Sequence, residues 1–415
     1  PPFSYVCLTV VPREMKNKFR PLSSVLVKPT GPDCNLNCKY CFYLRKSELF
    51  KEAPIHRMSG EVQEELIRQV MQQGGESVSF GWQGGEPTLM GLAFYERAIE
   101  LEMKFGRNQT VGNGLQTNGI LLNTEWARFL SRYDWLVGIS LDGPQFIHDH
   151  YRIDKGMQPT HSRVESNARM LMDHQVAVNV LSCVTNYSAQ FPDELYDYFK
   201  SLDLDWMQFI PIVETDPGDP TRAASYSVDA VSYGNFLCRL FDRWVADFKE
   251  GKPTTSIRYF DSVFYCYVGL QAPECSLMKE CGPYVVIEHN GNVYSCDFFV
   301  EQKWKLGNVM TGRLVQMLNS RQQESFGSAK NVLPGECRRC PWFPKCFGGC
   351  TKDRIKDPAD NRKPRFCTSY KMFFAHADAT LQMLAAQWKQ EQRDLKESRE
   401  TGGTYRAFPD FPGKV

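Results

Sequence analysis

The sequence predicts an α/β chain: a partial (β/α)6 barrel, a smaller cysteine-rich domain behind it, and a C-terminal helix. Three observations predict this. Residues 22–265 read as six short apolar runs alternating with amphipathic helical patterns, which implies a parallel sheet with right-handed crossovers. Each candidate strand ends in a polar or glycine-rich loop, where barrel enzymes carry their chemistry, and that repetition favours a barrel over a doubly wound sheet. Beyond residue 266 the texture changes to Cys, Gly and Pro with short strands. The expected segments are an extension at 1–21, the barrel at 22–265, the cysteine-rich domain at 266–375, and a helix with a frayed tail at 376–415. A chain of 415 residues exceeds what one ordinary core serves, in keeping with more than one domain.

Taken in order, Ser24–Lys28 is a short apolar run ending directly before a cysteine loop. Ser59 is placed to cap a helix whose apolar positions Val62, Leu66, Ile67, Val70 and Met71 share one face. Ser77–Trp82 reads as the next strand, stopped by Gln83-Gly84-Gly85-Glu86-Pro87. A helix over Leu92–Phe105 follows, then a strand ending at Leu115-Gln116-Thr117-Asn118-Gly119. Asn123 caps Thr124–Tyr133, and the strand Trp135–Leu141 closes at Asp142-Gly143-Pro144. The strands Val176–Val184 and Asp205–Val213 alternate with helices around 162–174 and 191–202. A polar turn around 215–228 leads into a long helix, Val228–Glu250. Tyr284–Glu288 and Asn292–Ser295 are short strands of the cysteine-rich part, and a last amphipathic helix spans roughly 369–398.

Composition narrows the function. Apolar content of 42% and charged content of 23% are ordinary for a soluble globular chain. A net charge of +1 gives no pull toward nucleic acid or an anionic membrane surface. No apolar stretch reaches the roughly 18 residues that span a bilayer, and the run Tyr5–Val11 is too short for a secretory core and lacks a basic leader. The expected location is cytoplasmic. Fifteen cysteines are many for such a chain unless they ligate something. Three sit at 34–41 and eight between Cys275 and Cys367, while Cys7, Cys183, Cys238 and Cys266 stand alone and read as small buried apolar side chains.

Cys34, Cys38 and Cys41 fall in Cys-Asn-Leu-Asn-Cys-Lys-Tyr-Cys, so one short loop offers three thiolates to a cubane. A [4Fe–4S] cluster normally takes four thiolates, and three leave one iron open to a ligand that is not protein. A structural zinc is the alternative, but zinc wants four ligands and no fourth Cys or His follows closely. This Cys-x3-Cys-x2-Cys loop resembles that of the radical S-adenosylmethionine (SAM) enzymes, whose TIM-type barrel the strand–helix alternation matches. Phe42 and Tyr43 set aromatic surface beside the cluster, where adenine must sit. Gly84, Gly85 and Glu86 end the second strand, and the glycines let backbone carbonyls approach a ligand's ammonium group. Asn118, Ser140 and Arg152 are candidate contacts for the SAM carboxylate and ribose, and each fits a surface role as well.

The eight late cysteines read Cys275-x5-Cys281-x14-Cys296, then Cys337-x2-Cys340-x5-Cys346-x3-Cys350-x16-Cys367. Eight thiolates hold two four-ligand clusters; two structural zincs are the alternative. The Cys-x2-Cys-x5-Cys-x3-Cys string resembles the SPASM domain found behind radical SAM barrels. Over residues 22–375 the chain is most similar to one subgroup, the anaerobic sulfatase-maturating enzymes, through the cysteine loop, Gln83–Thr88, Leu115–Gly119, Ser140–Pro144, Gln208–Ile210, Ile257–Asp261 and Cys296–Phe298. The resemblance implies three [4Fe–4S] clusters and SAM. It gives Cys275, Cys281, Cys296 and Cys350 to one auxiliary cluster, and Cys337, Cys340, Cys346 and Cys367 to the other. It implies oxidation of a Cys or Ser in an unfolded or nascent sulfatase to formylglycine, with a flavodoxin- or ferredoxin-type electron donor and neither nucleic acid nor membrane as partner.

In that family a 5′-deoxyadenosyl radical takes a hydrogen from the substrate Cβ, a base takes the thiol or hydroxyl proton, and an electron leaves through the auxiliary clusters. The family's base corresponds to Asp297, directly after Cys296, with Asp261 as the rival carboxylate; a turn-capping role is the bland reading of Asp297. Tyr43 and Gln83 match positions near the SAM and substrate pocket. Two other readings stand beside this one: a SPASM peptide maturase that forms thioether or carbon–carbon crosslinks, and a non-catalytic iron–sulfur or zinc protein. The last leaves unexplained why the first site stops at three cysteines and is followed by Gly-Gly-Glu-Pro.

Overall fold

The computed structural model describes residues 19–51, 53–216, 218–219, 221–354 and 363–400. The run Tyr5–Val11, most of the 1–21 extension and the tail beyond residue 400 lie outside the described residues. Strands follow in chain order as β1 (Ser24–Lys28), β2 (Ser77–Trp82), β3 (Thr110–Thr117), β4 (Leu136–Ser140) and β5 (Ala177–Val184). Then come β6 (Trp206–Pro211), β7 (Ser256–Ile257), β8 (Val285–Glu288), β9 (Asn292–Tyr294) and β10 (Lys305–Asn308). The described residues form two compact units that interleave along the chain, 19–182 with 280–329 and 183–279 with 330–400.

In the first unit the strand order is β10-β9-β8-β1-β2-β3-β4-β5. β1 to β5 run parallel, with Val25 opposite Phe80, Phe80 opposite Asn113 and Val137 opposite Val178. Between them lie α1 (Gly60–Gln73), α2 (Leu92–Phe105), α3 (Thr124–Arg132), α4 (Gln145–Tyr151) and α5 (His161–Asp173). The expected caps are present: Ser59 Oγ accepts from Val62 N at 3.3 Å, and Asn123 Oδ1 accepts from Glu125 N and Trp126 N at 3.0 and 3.1 Å. Leu66, Ile67 and Val70 of α1 are buried, and Trp82 packs edge-on to Tyr95 with ring centroids 5.7 Å apart. Burying each such side chain is worth about 1.5–3 kcal/mol.

One placement differs from the segment reading. The run at Tyr284–Glu288 belongs to the later domain by sequence, but β8 pairs in parallel with the free side of β1, Val25 opposite Val285 and Lys28 opposite Glu288. Val285, Val286 and Ile287 are all fully buried, as a strand covered on both faces requires, and such a run carries no mark of which strand it joins. β9 and β10 then continue the sheet in antiparallel fashion. This brings the chain after β9, with Cys296 and Asp297, into the unit that carries the first cysteine loop.

In the second unit β6 pairs in parallel with β7, flanked by α6 (Pro192–Ser201), α7 (Ala230–Ala246) and α8 (Arg258–Val268). Asp229 caps α7 by accepting from Val231 N and Ser232 N. The C-terminal helix runs Cys367–Glu400, two residues longer at each end than expected, and packs on α7 and α8. Its Phe373 ring lies 5.7 Å from Phe241 and 5.4 Å from Phe260.

Candidate functional site

The first cysteine loop leaves β1 through two tight turns, Gly31 N to Lys28 O and Asp33 N to Thr30 O, both 3.1 Å. Its middle is tied to the chain after α4: Asn37 N donates to Ile153 O at 2.8 Å and Lys39 N to Tyr151 O at 3.1 Å. Below it, Tyr40 donates its hydroxyl proton to Asp142 and accepts from Arg152 Nη1 at 2.8 Å. Arg152 is buried and supports this loop from beneath, with Asp142 4.0 Å away.

The thiols fit an iron cluster in their chemistry. Leu36 N (3.4 Å) and Asn118 Nδ2 (3.7 Å) both donate to Cys34 Sγ, as thiolate ligands want. Burial, with the Glu86 charge adding to it, pushes the Cys34 thiol up to about 12, and burial pushes Cys38 up to about 11. Both thiols hold their protons until a metal centre displaces them, so loading the site would release protons to solvent. Among the described residues no three His, Cys, Asp or Glu donors converge on a point for a single ion.

Gly84, Gly85 and Glu86 hold this loop. Gly85 N donates to Gly31 O and Glu86 N to Asp33 O, both at 2.8 Å. A Cβ on Gly85 would lie 2.0 Å from Asp33 O, and Gly84 sits at φ +133° with Gly31 O 3.1 Å from its would-be Cβ. One close approach the glycines allow is therefore of one stretch of the protein to another. Glu86 is fully buried and accepts from Thr88 N (3.0 Å), Thr88 Oγ1 (2.6 Å), Thr117 Oγ1 (2.7 Å) and Asn118 N (2.7 Å). Burial raises its carboxyl even against those four donors. Glu86 clamps the ends of β2 and β3 together. Asn118 passes the order on, its Nδ2 reaching Asn35 Oδ1 at 2.7 Å and its Oδ1 taking Ile120 N at 3.0 Å. Ser140, at the end of β4, accepts from Gln116 Nε2 at 3.1 Å.

A second cluster lies in the same unit around Asp297. Lys28, the last residue of β1, is 1% exposed and ion-pairs with Asp297 Oδ1. Gln83, directly after β2, donates from Nε2 to Asp297 Oδ2 at 3.0 Å. The Lys28 ammonium also lies 3.6 Å from the centroid of the Tyr43 ring. Tyr43 in turn donates its hydroxyl to Glu288, which is fully buried. Phe42 packs against Phe298 at 4.9 Å. Gln83 and Asp297 are in direct contact, and Tyr43 is linked to Asp297 through Lys28. Lys28 and Glu288 were not expected; the one signal for Lys28 is a charged residue closing an apolar strand, and Glu288 has the same signature on β8.

The remaining cysteines divide by unit. Cys281 and Cys296 lie in the first, and Cys275 and Cys350 in the second. Buried Lys330 ties the Cys275 turn by donating to Cys275 O at 2.9 Å and Ser276 O at 2.8 Å. Cys337, Cys340, Cys346 and Cys367 line one cavity of the second unit together with Trp342 and Tyr370. Burial pushes Cys346 up to about 11; a Gly348 N–H opposes that, and the other three thiols add to it, so all four lie within electrostatic reach. Phe347, Gly348 and Gly349 are successive left-handed residues at φ +45°, +77° and +64°, which curl the backbone around this cavity. Asp261 lies half-buried in the same unit, takes a hydrogen bond from Ser256 Oγ, and is pushed by desolvation up to about 7.

Comparison with known proteins places the chain. The Radical SAM superfamily model matches residues 29–202, and the SPASM iron–sulfur cluster-binding domain model matches residues 279–341. The class is that of radical SAM proteins with a SPASM domain. A serine-type anaerobic sulfatase-maturating enzyme of Bacteroides thetaiotaomicron is 40% identical over 85% of this chain and 88% of its own length. A cysteine-type enzyme of Clostridium perfringens is 37% identical over 86% and 96%. The solved structure of anSMEcpe with bound AdoMet and the Cp18Cys peptide superimposes with a TM-score of 0.80 at 35% identity, covering 88% of this chain and 99% of that one. The chain belongs to the anaerobic sulfatase-maturating enzymes. Streptococcus suis SuiB, at 17% identity and TM-score 0.56, shares the fold.

Proposed function

We propose that the chain oxidises a Cys or Ser of a sulfatase polypeptide to formylglycine, as a radical SAM oxidoreductase. The observation that carries this is the Asp297 carboxylate, set directly after Cys296 and held by Lys28 and Gln83. When bound, SAM and a [4Fe–4S] cluster at Cys34, Cys38 and Cys41 supply the 5′-deoxyadenosyl radical that removes a Cβ hydrogen, and the auxiliary clusters accept one electron. Every other part of the work falls to side chains. Asp297 takes the proton of the substrate thiol or hydroxyl. At 14% side-chain exposure it is reachable from outside yet mostly shielded from water. Loss of one hydrogen atom, one proton and one electron from a serine leaves the aldehyde; from a cysteine it leaves a thioaldehyde, which water converts to the aldehyde with release of hydrogen sulfide.

Cys275, Cys281, Cys296 and Cys350 are proposed for one auxiliary cluster, and Cys337, Cys340, Cys346 and Cys367 for the other. Asn118 and Arg152 would serve SAM binding by fixing the cysteine loop, as do Gly84, Gly85 and Glu86, while Ser140 and Tyr43 would face the ligand. The electron donor would be of flavodoxin or ferredoxin type, and the location cytoplasmic; among the described residues no helix is long and apolar enough to cross a membrane. The test is anaerobic incubation of reconstituted protein with SAM, a reductant and a sulfatase-derived peptide carrying Cys or Ser. Mass spectrometry is expected to find the aldehyde; a crosslinked or unchanged peptide refutes the reading.

A further inference from the structure

Lys28 stands out among the charged groups of the first unit because it is a buried ammonium at a strand end, paired with the carboxylate proposed as the base. It closes β1, is 1% exposed, and meets the Asp297 carboxylate and the rings of Tyr43 and Phe42. Burying an ammonium is costly, and replacing a buried ion pair as a whole by well-packed apolar side chains is often no worse for folding, whereas removing one partner alone strands the other's charge. Asp297 is 14% exposed and bonded to Gln83 through Oδ2, while its buried Oδ1 faces Lys28. Two apolar side chains would serve stability as well, so stability alone does not account for keeping both charges of this pair.

Geometry gives a different reason. Lys28 ends β1 and Gln83 directly follows β2, its neighbour in the sheet, where Gln83 N donates to Val27 O at 2.9 Å. Two adjacent strand ends thus hold one carboxylate oxygen each, Lys28 taking Oδ1 and Gln83 taking Oδ2. That fixes the plane of the carboxylate and leaves its remaining lone pairs to receive a proton. The same ammonium lies over Tyr43, whose hydroxyl is anchored on Glu288, so the aromatic wall beside the cysteine loop and the carboxylate share one support. A carboxylate held only by Gln83 would be free to swing about its Cβ–Cγ bond.

We propose that Lys28 is a positioning residue for the oxidation: it orients Asp297 for proton removal, in step with the Tyr43 wall. This rests on the reading of Asp297 as the base. The test measures aldehyde formed per 5′-deoxyadenosine formed, a ratio that does not depend on how much of a preparation is folded. Lys28→Met is expected to cleave SAM within about threefold of wild type, but to lower the ratio by roughly 10–100-fold, as a misplaced catalytic group does. Lys28→Arg, which keeps charge and reach, is expected to recover most of the ratio. The double variant Lys28→Met/Asp297→Asn is expected to be no worse than Asp297→Asn alone, because both act on one step. Should Lys28→Met fail to retain iron, Lys28→Gln takes its place in the same comparison. A wild-type ratio in the Lys28 variants beside a defective Asp297→Asn overturns the positioning role and spares the base. Multiplying defects in the double variant also overturn it. A wild-type ratio in Asp297→Asn overturns the base reading itself.

Discussion

Glu86 lends itself to a worked prediction because its surroundings are fully accounted for. Glu86→Gln keeps the shape of the side chain and replaces one oxygen by an amide nitrogen. Oε1 takes three donors, from Thr88 N, Thr88 Oγ1 and Thr117 Oγ1, while Oε2 takes Asn118 N. In the favoured orientation the amide oxygen keeps the three and the new NH2 confronts the Asn118 N–H. One buried donor left unpaired costs about 1–3 kcal/mol, and weakening three charge-assisted bonds adds ~0.5–1 kcal/mol each. Relief from burying a charge offsets part of this, which leaves a net loss of about 2–3 kcal/mol. Urea unfolding of the metal-free chain should report that loss. Because Asn118 also reaches Asn35 and Cys34, iron bound by the first loop should fall in parallel. Stability within ~0.5 kcal/mol of wild type and full iron content, joined to weaker SAM binding, would refute the clamp and make Glu86 a ligand contact.

Two further outcomes are expected. Anaerobic reconstitution should load roughly twelve irons as three [4Fe–4S] clusters, and Cys337→Ala should lose about four of them while keeping SAM cleavage; four irons plus zinc in the wild type would contradict the cluster assignments. Burial pushes the Asp261 carboxyl from 3.8 to about 7, so the folded state holds this proton where the unfolded state has lost it. Its contribution to stability is full below about 4 and is lost as pH rises through about 7. Asp261→Asn should therefore gain on wild type between pH 5 and pH 8 in denaturant titrations, whereas parallel pH curves would contradict the assigned shift.

The cysteine spacing and the strand-end loops were legible because they are local. Ser59 and Asn123 declared their helices for the same reason, and both caps are in place. Gly84 and Gly85 were legible as points of close approach, and the structure adds one partner that the motif did not name, Asp33 O, 2.0 Å from a Cβ built on Gly85. The Glu86 carboxylate likewise serves Thr88, Thr117 and Asn118, and a sequence motif cannot distinguish a carboxylate turned outward from one turned in. Lys28 and Glu288 were hidden by topology. Their significance depends on β8 lying along β1, and an apolar run such as Val285–Ile287 fits any buried edge. Asp297 was reached only by analogy; its grip by residues that are distant in sequence became visible once β8 was in place.

The most direct test of the account is the product ratio of Asp297→Asn, measured anaerobically with a sulfatase-derived peptide. If Asp297 is the base, this variant still forms 5′-deoxyadenosine while aldehyde formation falls by ~10²–10⁴-fold. Aldehyde at the wild-type ratio would contradict it, and would move the proton to Asp261 or to solvent.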